Sequence, residues 1–412
     1  MRIVYFTHSL ASCWNHGNAH FLRGVLRELK ALGHDVEAYE PRDAWSLQNL
    51  LADHGEAGLD PWRAAYPDLS STVFDPAGDL EPLVADADLV IVHEWNEPAL
   101  VARIGQLKDI GFGFTLLFHD THHRAVSEPD AIRAFDLSGY DGVLAFGETL
   151  ARVYRRWGWG ARVFVWHEAA DTRHFHPPAE EGERSGLVWI GNWGDGERTA
   201  EIEDYLLRPA REARLPLEIF GVRYPEEAKA LLGRYGVTYS GWLPNGRAPE
   251  VFARHLATVH VPRRFYSTIL PGIPTIRVFE ALACGIPLVS APWEDSENLF
   301  RPGTDYLTAK DGEEMTAQLT RLKSDPALRR SLVEHGLETI QDRHTCAHRA
   351  QELMTVYAQL NPSPSRGEGG TRPRSGWEGE GLNPSSADSI PSPGASRHPL
   401  PLREREVTGT TA

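Results

Sequence analysis

Leu270-Pro271-Gly272-Ile273-Pro274-Thr275-Ile276-Arg277-Val278-Phe279-Glu280-Ala281-Leu282-Ala283-Cys284-Gly285-Ile286-Pro287-Leu288-Val289-Ser290 is the stretch whose reading decides the fold. Proline lacks an N–H and has φ preset for a first helical turn, so Pro274 suits a helix start. Gly285 suits its stop, and 287–290 reads as a buried strand. Loop, helix, glycine and strand in succession mark one unit of a parallel α/β sheet. The start of such a helix lies at the strand C-terminal ends, where free N–H groups and the positive dipole end favour a phosphate. Gly272, Ile273 and Thr275 frame that start. Glu280 lies about a turn and a half further in, within reach of a ribose hydroxyl pair, which a carboxylate accepts well.

Working outward, the same alternation fills the second half of the chain. Strands are expected at 187–190, 217–220, 238–240 and 258–261, with helices at 201–207, 226–234 and 249–255 between them. Helices at 312–323, 326–339 and 346–360 follow. The first half repeats the scheme, with strands at 2–6, 36–39, 88–93, 114–118, 142–146 and 162–166 and helices at 16–32, 99–108 and 148–157. The segment 168–183 loses apolar periodicity and carries Pro177 and Pro178, as an interdomain connection does. The expected architecture is α/β: two Rossmann-like, doubly wound parallel-sheet domains facing a cleft, at 1–167 and 168–345. A helix at 346–360 and a disordered tail at 361–412, rich in Pro, Ser, Gly and Arg, complete it.

Composition narrows the function. The 412 residues are 41% hydrophobic and 24% charged, which suits globular domains with sizeable cores. A formal net charge of -15 repels phosphate backbones and argues against a nucleic-acid partner. Cys13, Cys284 and Cys346 form no pair spaced for a metal or a disulfide scaffold. The first residues lack the charged and apolar regions of a signal peptide, and no apolar run reaches the length of a spanning helix. The expected location is cytoplasmic, with membrane contact at most peripheral.

Candidate chemistry sits in loops after strands. Arg263 and Arg264 follow the strand at 258–261, where guanidinium groups could neutralise a diphosphate leaving group. Gly191-Asn192-Trp193-Gly194 opens a glycine loop after the strand at 187–190, and glycines let backbone N–H groups approach anionic oxygens. Trp242 in Gly241-Trp242-Leu243-Pro244 could stack on a base or serve packing. In the first half, His119-Asp120-Thr121-His122-His123 follows the strand at 114–118, and His93-Glu94 follows that at 88–93. Adjacent histidines seldom converge on one ion, and His16 and His20, four apart, lack the glutamate a zinc protease uses between them, so no metal site is assigned. Asp86-Ala87-Asp88 lies before a strand, away from the cleft.

The run Arg277 to Gly285 resembles the donor-binding helix of group-1, family-4 glycosyltransferases of the GT-B fold. It is most similar to their spore-maturation-protein-like, CgeB-type branch, and the resemblance extends in layout over about residues 1–360. It implies a sugar moved from a nucleotide-sugar donor to an unknown glycan, lipid or protein acceptor, with retention of configuration and without a metal or other cofactor. On this resemblance Glu280 holds the donor ribose, Gly191 and Asn192 lie beside the phosphates, and Trp242 lies by the base. His119 faces the transferred sugar, and Gly17-Asn18 lets the first loop approach donor or acceptor. His93 and Glu94 are acceptor-side candidates, and the last helix returns to the first domain. The family's usual second glutamate, eight positions before Glu280, is here Gly272, which puts sugar identity and catalytic detail in doubt. The alternatives are a sugar-nucleotide epimerase or phosphorylase of the same shape, and a non-catalytic nucleotide-sugar-binding protein.

Overall fold

The computed structural model describes residues 1–362 apart from 16, 181 and 195. The tail beyond residue 362 and His16 therefore lie outside the described residues. Two parallel sheets organise the rest. The first contains β1 (Arg2–Phe6), β2 (Asp35–Pro41), β3 (Thr72–Phe74), β4 (Leu89–His93), β5 (Thr115–Asp120), β6 (Gly142–Ala145) and β7 (Val163–Val165), in the order β3-β2-β1-β4-β5-β6-β7. The second contains β8 (Leu187–Ile190), β9 (Leu217–Phe220), β10 (Thr238–Tyr239), β11 (Ala257–His260), β12 (Leu288–Ser290) and β13 (Leu307–Thr308), in the order β10-β9-β8-β11-β12-β13. Each order reverses once, at β1/β4 and at β8/β11. In doubly wound sheets the ligand crevice opens at that reversal, beyond the strand C-terminal ends.

The central strands are runs of apolar residues buried on both faces, as in Leu89-Val90-Ile91-Val92, because helices cover each side of the sheet. Two strands escape the sequence reading. β3 is exposed at Thr72 and Val73, and β13 is two residues long, so neither carries a buried apolar run.

Several placements differ from expectation. β5 runs on through His119 and Asp120, which pair in register with β4 and β6, so these residues are strand rather than loop. The helix expected from Pro274 begins at Ile276 and ends at Ala283, because Thr275 is still extended. Helix Trp45–His54, unread in the sequence, buries Ser46, Leu47 and Leu50. The last helix, Cys346–Leu360, packs along helix Asn18–Ala31 of the first domain. The Trp166 indole N–H donates to the Arg349 carbonyl at 2.9 Å, and Asn361 donates to Thr115 at 2.7 Å. Among the described residues no helix is long and apolar enough to cross a membrane.

Candidate active site

The C-terminal ends of β8 and β11 carry a basic edge. Gly191 closes β8, and Asn192 beside it accepts the Val222 N–H at 2.9 Å and donates to Asn15 of the first domain. Six residues on, Arg198 folds back into the protein. Its guanidinium donates to the carbonyls of Val261 at 2.9 Å and Asn192 at 2.5 Å and lies 5.2 Å from the Trp189 ring centre. Among the described residues no carboxylate pairs with it, and its Nε lacks a hydrogen bond. Burial, aided by the neighbouring Arg263, pulls it down to about 10, still a cation near neutral pH. Sequence reasoning passed over Arg198 because nothing in its spacing separates it from other arginines.

Arg263 and Arg264 are both in ion pairs. Arg263 forks onto Glu197 at 2.6 and 3.0 Å, and Arg264 forks onto Glu201 with 2.8 Å as its shortest contact. Arg264 is the more exposed. A cavity of about 640 Å³ opens here, lined by Glu201, Tyr205, Val261, Pro262, Trp293 and Glu294.

Helix Ile276–Ala283 begins at this edge. Thr275 makes no side-chain cap to it. Its hydroxyl takes part in a directed chain instead. The Ser290 hydroxyl donates to the Ala291 carbonyl at 2.8 Å, so it accepts from His260 Nδ1 at 2.9 Å. His260 Nε2 then accepts the Thr275 hydroxyl at 3.1 Å. Burial pushes His260 down to about 3, so it stays neutral and keeps this tautomer. The Thr275 hydroxyl thus bonds His260, and the helix N–H groups are without a cap from it.

Glu280 is fully buried, which excludes a solvated helix carboxylate. It accepts from Asn245 Nδ2 at 2.7 Å, pairs with Arg277, and lies 3.4 Å from His20 Nδ1 of the first domain. Burial raises its pKa, against the pull of Arg277. A Cβ on Gly17 would lie 2.6 Å from Ile276 Cγ2, so glycine lets the first loop approach the second domain here. Asn18 begins the adjoining helix. Gly272 has φ +91, and a Cβ on it would meet the Ser296 hydroxyl, so a glutamate at this position would be strained. Ile273 is buried in the first domain's core cluster rather than lining an open pocket. Trp242 stacks obliquely on His54 of the first domain at 4.6 Å, a packing role in this conformation.

The first-domain edge is of another kind. His119 is fully buried among Tyr5, Phe21, His93 and Trp166, and burial pushes it down to about 3. Its Nδ1 bonds the Tyr5 hydroxyl. His93 Nε2 bonds Thr121 at 3.0 Å. Glu94 pairs with Arg124, and Tyr154 donates to Asp120 at 2.7 Å. Both carboxyls are raised by burial, Glu94 against the pull of Arg124 and Asp120 against its hydrogen bond from Tyr154. The structure thus sets Asn192, the helix start at Ile276 and Glu280 against Asn15, Gly17 and His20 of the first domain. It leaves His93, Glu94 and His119 beneath the surface of the opposite sheet. Among the described residues no group of three His, Cys, Asp or Glu side chains is arranged to hold a metal ion.

Two sheets of this order, facing each other across a cleft with a basic second-domain edge, define the GT-B class. Residues 198–355 match the family described as glycosyl transferase-like. A search of curated proteins finds no match in sequence. Among solved structures, Anabaena HepE in complex with UDP and glucose is similar at 14% identity over 88% of this chain and 99% of that one, with a TM-score of 0.62. A glycosyltransferase from Rickettsia africae is similar at 10% identity, 88% and 98% coverage and a TM-score of 0.61. Sucrose-phosphate synthase from Thermosynechococcus elongatus is similar at 16% identity, 87% and 99% coverage and a TM-score of 0.58. This chain is an enzyme of the glycosyltransferase class, with the GT-B fold.

Proposed function

We propose that the enzyme transfers a sugar from a UDP-sugar donor held by the second domain to an acceptor hydroxyl held by the first. It does so with retention of configuration, without a metal, and within the spore-maturation-protein-like branch. The observation that carries this reading is Arg198, a buried cation at the reversal point of the second sheet that pairs with no carboxylate among the described residues. A diphosphate at this edge would meet Arg198, the uncapped start of helix Ile276–Ala283, and Arg263 once it leaves Glu197. Fixed positive groups aimed at a leaving diphosphate stabilise the charge it gains as the glycosidic bond breaks, which is the task a divalent ion performs elsewhere. The crystallised complexes of similar folds with UDP and glucose, and of T4 phage BGT with UDP-glucose, favour this donor class.

Product formation from UDP-sugars, assayed before and after dialysis against a strong chelator, tests the reading. Equal rates are expected. Loss of turnover restored by a divalent ion would contradict the metal-free part. Tight UDP-sugar binding without transfer to any acceptor would favour the non-catalytic alternative, for which the closed Glu280 site speaks.

A further inference from the structure

The loop that leaves β1 runs outside any helix or strand until Asn18, yet Leu10 and Ala11 on it are buried. Buried peptide groups need partners. Two charged side chains supply them here, from opposite sides. Arg23, on helix Asn18–Ala31, donates from Nε to the Leu10 carbonyl at 2.7 Å and from a terminal nitrogen to the Ala11 carbonyl at 3.0 Å. Glu40, on β2, accepts the Leu10 N–H at 2.7 Å on one oxygen and the Ala11 N–H at 3.0 Å on the other. Both side chains are fully buried. The Ser71 hydroxyl also donates to Glu40, and the Arg23 guanidinium lies 5.0 Å from the Tyr66 ring centre.

Two successive residues thus face a guanidinium with their carbonyls and a carboxylate with their amides. Neutral partners would satisfy the same groups, but charged ones form shorter and stronger bonds and fix the orientation of each peptide. A few residues further on, this loop meets the second domain beside the side chains assigned to the donor. Cys13 Sγ accepts the Asn245 N–H at 3.2 Å, and the Asn245 side chain bonds Glu280. Asn15 accepts from Asn192 Nδ2, and the Asn192 carbonyl holds Arg198. Gly17 passes close to Ile276, the first residue of helix Ile276–Ala283.

We propose that Arg23 and Glu40 are positioning residues. They form a two-sided clamp that orders the β1 loop inside the first domain and presents Cys13, Asn15 and Gly17 to Asn245, Asn192 and Ile276. A loop ordered beforehand loses less conformational freedom when the domains close on a ligand. The role toward the donor rests on the donor site proposed above, whereas the clamp itself does not.

The test is amide hydrogen exchange in the full chain, read together with UDP release from UDP-glucose with water as acceptor. Glu40→Gln keeps one accepting oxygen and turns an N–H toward the other loop amide. Arg23→Lys replaces the fork of donors by a point charge. Each should speed exchange at Leu10 and Ala11, and also at Asn245 of the second domain, by about fivefold or more. Each should lower kcat by about tenfold to a hundredfold, the scale for a misplaced positioning element, with UDP affinity unchanged in calorimetry. Ser71→Ala removes a bond that Glu40 receives from outside the loop and should alter neither Asn245 exchange nor kcat. Wild-type exchange at Asn245 in both Glu40→Gln and Arg23→Lys, or an equal rise in Ser71→Ala, would overturn the clamp and leave a buried structural pair. Faster exchange at Asn245 in a protein whose wild type binds no UDP would keep the clamp and remove the donor reading instead.

Discussion

The two cleft edges are built on the same strand order and hold opposite chemistry. At the ends of β4 and β5 the polar side chains His93, Glu94, His119 and Asp120 are buried, and burial pushes His119 and both carboxyls toward their neutral forms. At the ends of β8 and β11 stand Arg198, Arg263 and Arg264, all cationic, held by carbonyls or by the carboxylates of Glu197 and Glu201. Fold alone does not set this difference; the side chains after each strand do. The three arginines at the second-domain edge are the reason for proposing that this domain holds the donor, although the net charge of the chain is -15.

The largest expected effect comes from removing the cation that anchors this contrast. Arg198→Ala should lower kcat/KM for transfer by about a hundredfold or more, the scale for losing one fixed donor to a developing anion. An equal loss in Arg264→Ala, at the exposed arginine, would erase the distinction between the buried and surface cations. Next, Glu280→Ala should weaken UDP-sugar binding by about 1.5–3 kcal/mol in calorimetry, the range for hydrogen bonds to a charged group. It should also lower the melting temperature, because Arg277 and Asn245 lose their shared acceptor. Unchanged affinity would remove Glu280 from the donor site and leave it a structural carboxylate.

A third outcome concerns pH. Burial, with the charge of Glu280 nearby, pushes Glu168 up to about 8. A carboxyl raised in this way binds its proton more tightly folded than unfolded. Its contribution is complete below the usual value of 4.5 and is lost as pH rises through about 8. Melting temperatures of wild type between pH 5 and pH 9 should therefore fall more steeply than those of Glu168→Gln. Parallel curves would show that Glu168 is solvated. The smallest effect is expected for Glu197→Gln. It frees Arg263 from a partly exposed pair worth about 0.2–1 kcal/mol and should tighten UDP binding two- to fivefold. Weaker binding would mean that Glu197 orients Arg263 instead of competing for it.

The legibility of these features follows from their range along the chain. Leu89–His93 and Leu187–Ile190 announce themselves as short apolar runs, and the alternation around them yields both parallel sheets. Gly17 and Gly191 were legible because a glycine after a strand is a local signal. The start of helix Ile276–Ala283 was read two residues early, since a proline permits a first turn without enforcing it. Arg198 and His260 were missed for one reason. Their roles depend on Val261 and Ser290, partners set by tertiary packing and distant in sequence. His119 was read as a loop-side group because strand ends are indistinct in sequence, and β5 extends two residues past the apolar run that marked it.

The central claim is that the second-domain edge receives the diphosphate of a nucleotide sugar through Arg198. Titration calorimetry of UDP-glucose and UDP into wild type and Arg198→Ala tests it directly. The account predicts saturable binding of both ligands to wild type and a loss of at least tenfold in affinity for both in the variant. Equal affinity in the two proteins, or no binding of either ligand to wild type, would contradict it.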